Sequence, residues 1–118
     1  MLATRQFCLT TDLRSDPELI LEYEDFHRPG NVWPEVLASI RQSGILDMQI
    51  YRLGLQLIMV ITVDDSFSFA GKAAIDGGNK MVMKWESLMT KFQNAAADSE
   101  TEGKWQEIDN IFNLQQHP

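Results

Sequence analysis

An α+β fold, one four-stranded sheet with its helices on a single face, is predicted by three observations. Four strand-like segments are divided by two helical pairs, in the order strand, helix pair, strand, strand, helix pair, strand. Met81, Trp85, Leu88, Met89 and Phe92 fall at i, i+4, i+7, i+8 and i+11, one continuous face of one helix. A chain of 118 residues with 44% hydrophobic and 23% charged residues supports one core, so a single domain is expected over residues 1–118.

The elements follow in order. Thr4 to Thr11 places Phe7, Cys8 and Leu9 among polar residues and reads as a first strand. Asp12 to Pro17 breaks it, Ser15 or Asp16 caps the next helix, and Pro17 occupies its first turn. Leu19, Ile20, Tyr23, Phe26 and His27 form that helix's buried stripe. Arg28-Pro29-Gly30-Asn31 interrupts the pattern, and a second helix runs from about Trp33-Pro34-Glu35 to Gly44. Ile45 to Arg52 and Leu55 to Val63 read as an antiparallel hairpin about Gly54. The second of these strands is apolar on both alternations, so it is expected to lie centrally with both faces covered. Phe67 to Ile75 is a short helix after Asp64-Asp65-Ser66, and Asp76 to Asn79 separates it from the Met81–Phe92 helix. Asn94 to Gly103 is a long loop, Trp105 to Leu114 a last strand, and residues 115–118 a loose tail.

This order is the split βαβ pattern of ferredoxin-like domains. Helices on one face leave the other sheet face bare, and a second copy is expected to cover it, giving a homodimer built through sheet faces as a dimeric α/β barrel. Seventeen acidic against ten basic residues give a net charge of −7, which repels phosphate backbones and argues against a nucleic-acid partner. The single cysteine, Cys8, excludes an intramolecular disulfide and is expected in the core. No apolar run approaches a bilayer's thickness and no signal-peptide core follows Met1, so a cytoplasmic location without membrane contact is expected.

Of the two histidines, His117 is penultimate, so His27 is the one well-placed side chain that titrates near neutrality. Tyr23, four residues earlier, shares its helix face. A histidine ending an amphipathic helix is more commonly a capping or surface residue, so the pair alone decides little. One interior histidine and one distant cysteine do not make a zinc site. No phosphate-binding glycine loop or nucleophile elbow occurs, and neither metal nor cofactor is expected. Trp33, Trp85 and Trp105 are expected in the core, although indole faces also stack on sugars.

Tyr23-x-x-x-His27, Val32-Trp33-Pro34-Glu35 and Gly44-Ile45-x-Asp47-Met48-x-Ile50-Tyr51 resemble blocks of the L-rhamnose mutarotase family. Lys84-Trp85-Glu86-x-Leu88-Met89-x-Lys91-Phe92-Gln93 and Gly103-Lys104-Trp105 with Ile111-Phe112-x-Leu114 extend the resemblance over about Gln6 to Leu114. It implies a dimeric ferredoxin-like protein that interconverts sugar anomers without a cofactor. His27 then matches the family's acid/base histidine, Tyr23 the tyrosine one turn before it, Trp85 a tryptophan lining the sugar pocket, and Tyr51 a second-strand tyrosine.

Three departures stand out. Five residues, Arg28 to Val32, separate His27 from Trp33, where the family usually has about three. Met48 replaces an aromatic residue of the rhamnose type, and Glu86 a second adjacent tryptophan. A branch of the same family that resembles this chain more closely is linked with L-fucose, so L-fucose is favoured slightly over L-rhamnose. Mutarotation removes a proton from the anomeric hydroxyl and delivers one to the ring oxygen, which one imidazole serves in both its states. The expected site is therefore His27 with Tyr23 for catalysis, and Trp85, Glu86, Tyr51, Met48 and Trp33 for binding a monosaccharide. Two other readings fit the same fold: a cofactor-independent monooxygenase, and a non-enzymatic ligand-binding dimer whose aromatics are all core.

Overall fold

The computed structural model describes residues 4–93 and 105–118. Strand β1 (Arg5–Asp12) leads to helices α1 (Pro17–Phe26) and α2 (Pro34–Gln42). The hairpin of β2 (Ile45–Leu53) and β3 (Gln56–Val63) follows, then α3 (Phe69–Gly77), α4 (Lys80–Thr90) and β4 (Gln106–Ile108). The sheet is antiparallel throughout in the order β2-β3-β1-β4, the ferredoxin-like arrangement. The Asn94–Gly103 loop expected from sequence lies outside the described residues. Among the described residues no helix is long and apolar enough to cross a membrane.

Local chemistry sets the boundaries. Asp16 accepts the Glu18 N–H at 3.0 Å and Pro17 fills the first turn of α1. Asn79 caps α4 by accepting from the Met81 and Val82 N–H groups at 3.0 and 3.2 Å. Gly44, between α2 and β2, has φ +98°, a left-handed conformation that favours glycine, and a Cβ there would also displace the Asp64 carboxylate, 2.6 Å away. Gly54, at φ +60°, opens the two-residue turn between β2 and β3.

Four expectations are corrected. The third helix starts at Phe69, because Ser68 accepts the Gly71 N–H and is its cap. Asp64, ahead of it, closes a turn onto the Ser66 N–H and hydroxyl, contacts that hold its carboxyl below the usual range. The last strand is only Gln106–Ile108, since β1 offers β4 a short ladder over Cys8–Thr10 and Asp109-Asn110 follows. Ile111, Phe112 and Leu114 are exposed, and Leu114–Gln116 form a 3₁₀ turn capped by Asn113. Strand β3 is central, but within one chain's described residues elements cover one face only: Leu57, Ile61 and Val63 are buried while Ile58, Val60 and Thr62 stay half-buried. Cys8, paired with Val60, shares that open face rather than the core.

The helix side carries the core in two parts. Leu13, Tyr23, Val36, Leu57, Val82, Trp85, Met89 and Phe92 form the larger one, and Leu9, Ile45, Ile61, Val63 and Phe67 the smaller. Burying aliphatic and aromatic side chains of this size contributes about 1.5–3 kcal/mol each.

Candidate active site

Between the helices and the sheet opens a cleft of about 850 Å³, within the range of small-molecule sites. Its floor is the helix-side face of β3 and β2, with Leu57, Met59, Ile61, Met48 and Ile50. One wall comes from α1 and α4, through Tyr23, His27, Trp85, Glu86 and Met89. The 3.6-residue period places these together: Tyr23 and His27 are one turn apart on α1, as Trp85 and Met89 are on α4.

His27 sits at the C-cap of α1, where the chain leaves helical geometry, so the commonplace reading of a helix-end histidine holds for its backbone. Its ring nevertheless turns inward and half-buries. Nδ1 lies 2.7 Å from the Tyr23 carbonyl oxygen. A carbonyl only accepts, so Nδ1 carries the proton and Nε2 keeps its lone pair. Burial pushes the imidazole's pKa below its ordinary value, more than that carbonyl raises it. The ring is therefore neutral at pH 7 and able to take a proton at Nε2.

The Tyr23 ring lies against the imidazole at a centroid separation of 4.3 Å. Its phenol is pushed up to about 12, mainly by burial; the Gln93 side chain works against this, and the nearby Glu86 carboxylate adds to it. Tyr23 is thus a neutral phenol at any ordinary pH, able to give a hydrogen bond or a proton. A neutral base and a neutral acid meet at one wall of the cleft.

Trp85 stands edge-on to His27 at 5.6 Å. It is only 6% exposed, so it closes the end of the cleft rather than lying open as a platform for a sugar ring. Trp33 does not line the cleft; it packs edge-on behind Trp85 at 5.2 Å and fixes that indole. Met48 is on the floor and the exposed Glu86 on the wall. Tyr51 borders the open edge, but its register with Ile58 puts the side chain on the far sheet face, where its hydroxyl bonds Gln49. His27, Tyr23, Trp85, Glu86 and Met48 are thus brought together, whereas Trp33 stands behind them and Tyr51 at the margin.

The longer connection after α1 folds back on that helix. Arg28 pairs with Asp25, and the Asn31 amide donates to the Asp25 carbonyl at 2.7 Å. Gly30, at φ +90°, allows the reversal, and Val32 arrives in the cleft. The extra residues therefore leave His27 facing the cavity.

Two of the lining residues that were not singled out as site residues from sequence stand out. Trp105 bridges both parts of the core and reaches the cleft. Gln93 is 3% exposed, and its Oε1 has no hydrogen-bond partner among the described residues, a state that costs about 1–3 kcal/mol. A glutamine closing a helical stripe carries no sequence signal for this. Among the described residues no group of three His, Cys, Asp or Glu side chains is placed to hold a metal ion.

Comparison with known proteins bears on the family and the fold. The family model for L-rhamnose mutarotase matches residues 6–114. An L-fucose mutarotase of Xanthomonas campestris pv. campestris is 42% identical over 113 residues, covering 96% of this chain and 90% of the relative. A UPF0734 protein of Dictyostelium discoideum is 30% identical over 116 residues, covering 93% and 90%. A crystal structure of an L-rhamnose mutarotase from Formosa agariphila superposes with a TM-score of 0.67 at 16% identity, covering 92% of this chain and 97% of that one, which supports the fold. The chain belongs to the L-rhamnose mutarotase family and is an isomerase acting at the anomeric carbon of a sugar.

Proposed function

We propose that this member of the family interconverts the α and β anomers of a 6-deoxyhexose, with L-fucose preferred over L-rhamnose, through His27 and Tyr23. The observation that carries the mechanism is the bond from His27 Nδ1 to the Tyr23 carbonyl, which leaves Nε2 basic beside a protonated phenol. His27 Nε2 takes the proton of the anomeric hydroxyl as the bond between C1 and the ring oxygen breaks. The ring oxygen receives a proton from Tyr23, and the open aldehyde turns about C1–C2. Closure on the opposite face returns both protons, so atoms and charges balance without an added reagent. Positioned acid/base groups of this kind accelerate on the order of 100- to 10,000-fold. Glu86, on the wall, is placed to accept from sugar hydroxyls.

The preference for L-fucose rests on the 42% identical relative and on Met48, which gives the floor a flexible aliphatic surface. Exchange NMR of the anomeric protons tests it: added protein should speed exchange of L-fucose more than of L-rhamnose. A reversed order removes the preference, and no acceleration of either sugar removes the activity.

The functional unit in this reading is a homodimer. Cys8, Ile58 and Val60 on the far sheet face are half-buried without an element over them among the described residues, beside the exposed Tyr51. Light scattering should return twice the mass of the chain; the mass of a single chain at micromolar concentration contradicts it.

A further inference from the structure

The cleft floor is apolar, with Leu57, Met59, Ile61, Met48 and Ile50, and suits the methyl group and C–H face of a 6-deoxyhexose. The sugar's hydroxyls need polar partners on the walls, because a buried hydroxyl without one is costly. Among the described residues, two pairs of opposite charge line the cleft. At the α3 end both carboxylate oxygens of Asp76 are taken, Oδ1 by the Ser39 hydroxyl at 2.8 Å and Oδ2 by Lys72 of the same helix. That pair joins α2 to α3.

At the His27 end the pair is Glu24 of α1 and Arg52 of β2, and it is not closed in this way. Arg52 lies opposite Leu57 in the β2–β3 register, so its side chain rises on the face that forms the floor. Glu24 stands three residues before His27, on the same side of the helix. Arg52 Nη1 donates to the Gly54 carbonyl at 2.8 Å, which steadies the guanidinium, while Nε stands 3.5 Å from Glu24 Oε2. A charge-assisted bond closes to about 2.7–2.9 Å, so this contact is an open one. The two side chains are 37% and 42% exposed, where an ion pair adds little to stability. A donor and an acceptor thus sit together at the catalytic end of the cleft with bonding capacity to spare.

We propose that Glu24 and Arg52 are the specificity pair of this site: the carboxylate accepts from one sugar hydroxyl and the guanidinium donates to the oxygen of its neighbour, fixing which ring hydroxyls can sit beside His27. This deepens the mutarotase reading and rests on it. L-fucose and L-rhamnose differ in the configuration of their C2 and C4 hydroxyls, so a pair that binds neighbouring hydroxyls separates them by one contact kept or lost.

Exchange NMR on both sugars tests the proposal in full-length protein with Arg52→Met, Glu24→Gln, and the charge-exchanged variant that combines Glu24→Arg with Arg52→Glu. Each single variant should raise KM for L-fucose roughly ten- to a hundredfold, more than it changes kcat, and bring the L-fucose to L-rhamnose ratio of kcat/KM toward one. The exchanged pair restores attraction between α1 and β2 but reverses donor and acceptor, so it should discriminate as poorly as the single variants. Recovery of the wild-type ratio in the exchanged pair overturns the proposal, because the two residues then only tie helix to strand. Single variants with wild-type ratios overturn it too. If the wild type accelerates neither sugar, the mutarotase reading is what fails. The ¹⁵N resonance of Arg52 Nε, assigned by its loss in Arg52→Met, then decides. It should move on addition of millimolar L-fucose, and an unmoved resonance removes Arg52 from sugar binding.

Discussion

Two aromatic clusters, each mixing tilted and edge-to-face ring pairs, pack on the helix side of the sheet, and they differ in the chemistry of their rings. In the first, Tyr23, His27 and Trp85 meet at centroid separations of 4.3 and 5.6 Å, backed by Trp33, Phe26 and Phe92. In the second, Phe67 lies 6.1 Å from Phe7 and 5.1 Å from Phe69, and the polar neighbour is Arg5, whose guanidinium donates to the Phe67 carbonyl at 2.8 Å. Every ring of the second cluster is hydrocarbon, so its contribution ends with area and contact geometry. The first carries an imidazole and a phenol whose free atoms face a cavity, and it leaves a buried amide oxygen unpaired. On the mechanism proposed above, one cluster is spent on stability, whereas the other gives some up to hold proton-transfer groups in place.

That contrast breaks if activity and stability do not separate. His27→Asn has the largest expected effect: exchange of L-fucose should fall on the order of 100- to 10,000-fold toward the uncatalysed rate, with a circular dichroism spectrum like the wild type's. Wild-type exchange from this variant would move the site elsewhere. Phe67→Ala acts on the other cluster and should cost about 3–5 kcal/mol in a denaturant titration, since a ring that is 4% exposed is removed from a packed site. Its exchange rate per folded molecule should stay within about twofold of wild type. A collapse in rate without loss of stability would show that the two clusters are one device.

Much of the fold was legible because the signals were local. Asp16-Pro17, Gly44, Gly54 and Asn79 mark element ends through side-chain caps or positive φ, and the Met81–Phe92 stripe needs only a helical period. What escaped depended on the whole sheet. Leu55–Val63 is apolar throughout, but whether both faces are covered is decided by elements distant in sequence. The last strand shortened because its partner ladder on β1 is three residues long. In the site, spacing put Tyr23 beside His27, yet spacing is silent on which ring nitrogen bonds a carbonyl or that Trp33 stands behind Trp85. Gln93 closes a block that carries the family resemblance, but nothing in that block marks its side-chain oxygen as the atom left unpaired among the described residues.

The smallest effect follows the imidazole's own titration. Its pKa is lower folded than unfolded, so on acidification the unfolded chain binds the proton first. His27 accordingly contributes nothing to the pH dependence of stability well above about pH 6.5, and it destabilises the fold progressively as pH falls from there to the lowered folded value. ¹⁵N NMR of histidine-labelled protein reads the same property at the atoms concerned, with His27 assigned by its absence in His27→Asn. At pH 7.5 the His27 Nδ1 should show as the protonated nitrogen and Nε2 as the bare one, with a titration midpoint below that of a free histidine. A protonated Nε2 at that pH, or a midpoint above the ordinary value, would contradict the claim that this ring waits in the cleft as a base.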